Sequence, residues 1–193
     1  MLPMPKPFLL VTGFGAFEAV ETNPSGAIAS SLDARPDVLG LEIPVSFTRG
    51  PAAMDQALAS LPAPPAGILS IGVHPGPEFR LERRARSGLS SERPDNDGDL
   101  GSSLGWSGAD LATTLDLEAM LKVLHGPAAQ PSARLSDDAG RYVCECIYRH
   151  ALTRGNELGI PALFLHVPPL ESLALASQRS VVEALVDAYL DQV

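Results

Sequence analysis

Two cysteines are the first residues whose types and spacing suggest chemistry. Cys144 and Cys146 are the only ones in 193 residues, and both lie in Asp137-Asp138-Ala139-Gly140-Arg141-Tyr142-Val143-Cys144-Glu145-Cys146-Ile147-Tyr148. A thiolate attacks carbonyl carbon near neutral pH when an imidazole takes its proton. That imidazole needs a third group on its other nitrogen. Of the four histidines, His74, His125, His150 and His166, the last is singled out by its place at the end of an apolar run, Pro161 to Val167. Glu82 is a carboxylate that a neighbouring strand could bring to it, although spacing alone does not establish such a triad. Each residue also has an ordinary reading: cysteine packs as a small hydrophobe, a strand histidine bonds a carbonyl in the core, and a carboxylate among arginines sits at the surface.

The elements that must position these groups follow from periodicity. Cys144, Ile147, Tyr148, Ala151 and Leu152 fall on one helical stripe, with Cys146 pointing elsewhere. Asp137 and Asp138 are read as N-caps, so Cys144 lies in an early turn, where the helix dipole favours a thiolate. Phe8 to Thr12 is read as a buried strand ended by Gly13, with Gly13 to Phe17 as a loop and a helix starting at Asn23-Pro24-Ser25. Further strands are expected at Val38 to Val45, Gly67 to Ile71, Ala133 to Ser136 and Pro161 to Val167. Helices are expected from Thr48, over Asp116 to His125, and over Ser180 to Leu190. Phe79 to Arg86 alternates, with Phe79, Leu81 and Ala85 on one face and Arg80, Glu82, Arg84 and Arg86 on the other. On that pattern the arginines hold Glu82 ionised. The long connection over residues 87–114 is read as a lid, a binding loop or disorder, with a turn at Pro94 to Gly98.

Strands alternating with helices predict a single α/β domain over residues 1–193. Its architecture would be a three-layer α/β/α sandwich, a mainly parallel twisted sheet with helices on both faces. Sites in such sheets form at the carboxyl ends of the strands, where the Gly13 loop, the Gly72 loop, Ser136 and His166 can converge. A net charge of −9 argues against nucleic acid or an anionic membrane as partner. The Gly13-Phe14-Gly15 loop is no dinucleotide site, because Glu18 stands at the third glycine position. No histidine and cysteine spacing suits zinc, so no metal is expected. No apolar run spans a membrane and no signal peptide is evident. Two cysteines one residue apart suit a reducing compartment. The expectation is a soluble, cytoplasmic protein.

Four blocks then carry a resemblance. Val11-Thr12-Gly13-Phe14-Gly15-Ala16-Phe17 with Asn23-Pro24-Ser25, Leu81-Glu82-Arg83 with Pro94-Asp95-Asn96, Asp138 to Cys144, and Phe164-Leu165-His166-Val167-Pro168-Pro169 run in this order along nearly the whole chain. Together they resemble the pyroglutamyl-peptidase I family of cysteine peptidases. The resemblance implies removal of an N-terminal pyroglutamyl group from peptides without a cofactor, by a homo-oligomer (dimer or tetramer). It implies Cys144 as nucleophile, His166 as base and then acid, and Glu82 orienting His166. It places Phe14, Phe17, Asn23, Tyr142 and Val143 around the lactam ring. Two departures from the family pattern stand out. Val73-His74-Pro75-Gly76 follows Gly72, and Glu92 replaces the usual arginine ten residues after Glu82, with Arg93 one position out of register. They leave a second reading, a weakened relative that binds pyroglutamate or pyroglutamyl peptides. A third reading is an enzyme acting on another small molecule, with Cys144 structural.

Overall fold

The computed structural model describes residues 7–17, 22–88, 91–101, 107–125 and 132–193. In chain order the elements are β1 (Leu9–Phe14), α1 (Pro24–Leu32), β2 (Val38–Ile43), α2 (Arg49–Ser60), β3 (Gly67–Val73), β4 (Phe79–Glu82), β5 (Arg84–Ala85), β6 (Leu111–Ala112), α3 (Leu117–Leu124), β7 (Ala133–Ser136), α4 (Val143–Leu158), β8 (Ala162–Val167) and α5 (Leu175–Leu190). Six strands form one sheet in the order β2-β1-β3-β8-β4-β7. The first four are mutually parallel, while β4 runs antiparallel to β8 and parallel to β7. β5 and β6 pair separately. The sheet is therefore mainly parallel and α/β, as expected.

The apolar runs of the central strands are continuous because both faces are covered. One core packs α1, α3 and α5 against Leu9, Val11, Leu69, Ile71, Leu163, Leu165 and Val167. The other packs α2 and α4 against Leu10, Phe14, Ile68 and Phe164. Successive strand residues feed opposite cores, as the two-residue period requires. Among the described residues no helix is long and apolar enough to cross a membrane.

Several elements depart from the sequence reading. β1 does not stop at Gly13 but continues through Phe14. Gly13 stays in the strand because α1 lies directly against its backbone: a Cβ there would come within 2.0 Å of the Ser25 carbonyl oxygen. α5 begins at Leu175, before the expected Ser180. Asp137 and Asp138 do not cap α4, whose N-cap position is Tyr142, with no side-chain capping bond to the helix. They pair instead with Arg83 and Arg84 (Asp137) and with Arg86 (Asp138). The turn between them and the helix uses Gly140 at φ 87, which lengthens the approach and moves the helix start past their reach. Cys146 is fully buried in the α4 core, with its thiol 3.5 Å from the Phe47 carbonyl oxygen. Within the 87–114 connection, residues 89–90 and 102–106 lie outside the described residues, as does Glu18.

The contact at Gly13 gives a direct test. Gly13→Ala drives a methyl into backbone that cannot swing away, and overpacking of this kind costs about 3 kcal/mol. Urea denaturation should show that loss as a lower midpoint at unchanged slope.

Candidate active site

The site is assembled by strand register. β3 and β8 are adjacent and parallel, with Gly72 opposite His166. Paired residues on neighbouring strands project to the same face, about 4.8 Å apart. Gly72 has no side chain, and a Cβ there would lie 2.9 Å from Cys144 Sγ and 2.8 Å from the Phe164 ring. The sulfur thus occupies the space above Gly72, on the face from which the His166 imidazole projects. Cys144 reaches it as the second residue of α4. The first N–H groups of a helix have no intrahelical acceptor and carry partial positive charge, so the sulfur sits beside backbone donors.

β4 brings the carboxylate. Its antiparallel register sets Arg80 opposite His166 and Glu82 opposite Phe164, leaving Glu82 diagonal to the histidine on the same face. His166 Nδ1 lies 2.8 Å from Glu82 Oε1. A carboxylate accepts, so Nδ1 carries the proton and Nε2 presents a lone pair. Glu82 is fully buried and His166 is 5% exposed. The Tyr148 hydroxyl donates to the Glu82 carbonyl at 2.7 Å, fixing the end of β4 on α4. The expected arginines do not hold Glu82: Arg80 bonds Glu78, Arg84 bonds Asp137, and Arg86 bonds Glu145 and Asp138. The alternation breaks because β4 ends at Glu82 and β5 departs to a different sheet. Ser136 also stands apart from the strand-end cluster. β7 is reversed relative to β8, so Ser136 lies beside Glu82 and orders the turn to α4 by accepting from Asp138 N at 3.1 Å.

Burial pushes the Cys144 thiol up to about 12, with the carboxylates of Glu82 and Glu145 adding to the rise. Such a thiol does not lose its proton to solvent near pH 7. It needs an adjacent base that takes the proton without changing the charge of the site, and the lone pair of His166 is the group on that face.

Beside the sulfur lies a cavity of about 130 Å³ lined by Phe14, Phe17, Asn23, Tyr142, Val143 and Cys144, with Val45, Val73 and Arg93. All five residues expected around a ring are therefore brought together. Tyr142 packs at 5.6 Å from Phe17 and 5.5 Å from Phe47, and its hydroxyl donates to Pro94 O at 2.9 Å. The Asn23 amide is largely committed to local structure, donating to Gly15 O and accepting from Ser25 N and Ser25 Oγ as the cap of α1. The Arg93 guanidinium lies 4.7 Å over Phe17 and 5.4 Å from Tyr142. Strand alternation would have turned it away, but residues 91–95 form no strand, so the two-residue period does not govern them.

His74 was one of four histidines by sequence and was marked only as part of the Val73-His74-Pro75-Gly76 departure after Gly72. It stacks edge-on at 5.7 Å from His166. Its Nδ1 accepts from Gly76 N at 3.0 Å, so Nε2 bears the proton and donates to Glu78 O at 2.6 Å. Both ring nitrogens are spent, and the ring is a neutral wall.

This architecture matches known proteins. The pyroglutamyl peptidase family model covers residues 8–188. The chain belongs to the pyroglutamyl peptidase family. It is 34% identical over 187 residues to the pyrrolidone-carboxylate peptidase of Deinococcus radiodurans, covering 88% of this chain and 82% of that protein. It is 30% identical over 195 residues to that of Thermococcus kodakarensis, covering 92% and 93%. The crystal structure of the pyrrolidone carboxyl peptidase of Fervidobacterium islandicum AW-1 superposes with a TM-score of 0.85 at 27% identity, covering 97% of this chain and all of that one. A pyroglutamyl peptidase fold thus carries the Cys144, His166 and Glu82 cluster.

Burial holds His74 below the ordinary histidine range, with Arg80 and His166 adding to the effect. A depressed folded value means that the unfolded chain takes up the proton first. The stability contributed by His74 is full above about pH 6.5 and is lost as pH falls below it. Thermal melts from pH 8 to 5 should show this loss, and His74→Gln should flatten the dependence.

Proposed function

We propose that this chain hydrolyses the N-terminal pyroglutamyl group from peptides, with Cys144 as nucleophile, His166 as base and acid, and Glu82 as the orienting carboxylate. The observation that carries it is the sulfur seated over Gly72 on the face of the Glu82-bound imidazole, at the mouth of an aromatic cavity of about 130 Å³. Membership of the family supports the same reading. A pyroglutamyl ring is flat, neutral and blocked at nitrogen, so it offers no ammonium to an acidic anchor. Phe14, Phe17 and Tyr142 suit its faces, and Val143 its edge.

The reaction follows from the atoms in place. The Cys144 proton passes to His166 Nε2 while Sγ attacks the pyroglutamyl carbonyl carbon. The resulting oxyanion lies near the free N–H groups at the start of α4, which point at developing negative charge. Glu82 offsets the charge on the imidazolium through Nδ1–H. Collapse breaks the C–N bond, and His166 gives its proton to the departing amine. A thioester remains on Cys144. Water then attacks it, losing a proton to His166, which returns that proton to sulfur as pyroglutamate leaves. No step draws on a cofactor.

The same reading takes residues 1–193 as one domain acting in the cytoplasm, where the unpaired Cys144 and Cys146 stay reduced, in an assembly of identical subunits.

Hydrolysis of a fluorogenic pyroglutamyl amide tests the assignment. Cys144→Ala and His166→Ala should each lower kcat by at least about 10³-fold with unchanged circular dichroism. Glu82→Gln should lower it by about 10²- to 10⁴-fold. Wild-type turnover retained by Cys144→Ala would remove sulfur from the mechanism. Cys146→Ser, by contrast, should leave kcat within a few-fold and lower the melting temperature, because that thiol lies in the core.

A further inference from the structure

The mechanism uses the 130 Å³ cavity and leaves a larger one beside it. This second cleft, about 370 Å³, shares Phe17, Asn23, Val73 and Arg93 with the first and extends past them to Pro75, Pro169, Leu170 and Glu171. We propose that it binds the peptide on the carboxyl side of the scissile bond and selects a large apolar side chain in the residue that follows pyroglutamate. The proposal rests on the peptidase reading above.

Continuity gives the first argument. The walls common to both cavities mean that a chain leaving the ring cavity enters the cleft without crossing a barrier. Direction gives the second. The departing nitrogen must meet His166 to be protonated. The cleft opens between the end of β3 and the turn that follows it, through Val73, His74 and Pro75, and the segment after β8, through Pro169, Leu170 and Glu171. These are the two strands that hold Gly72 and His166 side by side. A peptide that presents its amide to the imidazole therefore continues between these two segments.

The chemistry of the walls names the occupant. Val73, Pro75, Pro169 and Leu170 are apolar, and prolines bring no N–H to hydrogen-bond a polar side chain. His74 adds a ring whose two nitrogens are already bonded. The exposed carboxylate of Glu171 also lines the cleft, against an acidic side chain in that position. The volume exceeds what a glycine or alanine would fill, so a small residue leaves the walls wet. A leucine or phenylalanine removes apolar surface of both partners from water. Such pockets separate a large from a small apolar group by about 10- to 200-fold.

The test compares kcat/KM for pyroglutamyl-leucine amide, pyroglutamyl-glycine amide and pyroglutamyl-aspartate amide, by release of the amino-acid amide. The wild-type protein should prefer leucine to glycine by about tenfold or more, with aspartate lowest. Leu170→Asp should pull the leucine-to-glycine ratio toward one, and the conservative Leu170→Met should keep it. Equal kcat/KM for the three substrates, or a ratio indifferent to Leu170→Asp in a folded protein, would overturn the assignment of the cleft. Because the wild-type series stands without any variant, misfolding of Leu170→Asp leaves that comparison decisive. Turnover of none of the three would sink the peptidase reading, and the cleft with it, an outcome distinct from unselective turnover.

Discussion

The structure turns on an absence of atoms at Gly72. The sulfur of Cys144 and the ring of Phe164 fill the volume that any side chain there would claim. Only glycine lets a helix start press its second residue onto the sheet at the point where the neighbouring strand presents a histidine. The β3–β8 register puts His166 at that level, and a slip of one residue would send the imidazole to the opposite core. Close packing on one side and ladder register on the other bring sulfur and imidazole to the same face of the sheet, over neighbouring strands.

The Glu82–His166 pair is the costly part of this arrangement. A carboxylate with no exposed surface loses hydration, and one of its oxygens, Oε2, has no hydrogen-bond partner among the described residues. Buried charge of this kind weakens a fold unless an opposite charge compensates it. On the proposed mechanism an imidazolium at His166 supplies that compensation. The thiol behaves in the complementary way. Burial holds its proton on, and the proposed mechanism releases it to the neighbouring ring. Cys146, two positions along the same helix, has the same chemistry available to it and spends it on packing.

The cavity wall depends on a second hub. Asp95, 6% exposed, accepts from Phe47 N, Asp97 N and Asp99 N. Asn96 donates to Val45 O and Ala16 O. The turn is thereby tied to the segments that carry Val45, Phe47 and Phe17, while Pro94 O receives the Tyr142 hydroxyl. Tyr142 is held on the cavity by its bond to the Pro94 carbonyl of this turn, and Arg93 by its stacking on Phe17 and Tyr142.

Local sequence was sufficient for the existence and type of most elements, though not for all of their ends. Continuous apolar runs specify strands buried on both faces, and the Asn23-Pro24-Ser25 and Asp116 starts specify capped helices, because caps and periodicity are satisfied within a few residues. The family motifs likewise brought Cys144, His166, Glu82 and the aromatic residues forward. What the linear pattern could not contain were relations between segments. It extended the alternation of β4 through Arg86 and so assigned the arginines to Glu82, though the strand ends there. It placed Asp137 and Asp138 at the helix start, though Arg83, Arg84 and Arg86 compete for them. It gave His74 no role and turned Arg93 away. Partner choice between distant charges, strand direction across a sheet and the facing of irregular loops are settled by packing of the whole chain, since each depends on groups that lie tens of residues away and meet only when both cores have closed.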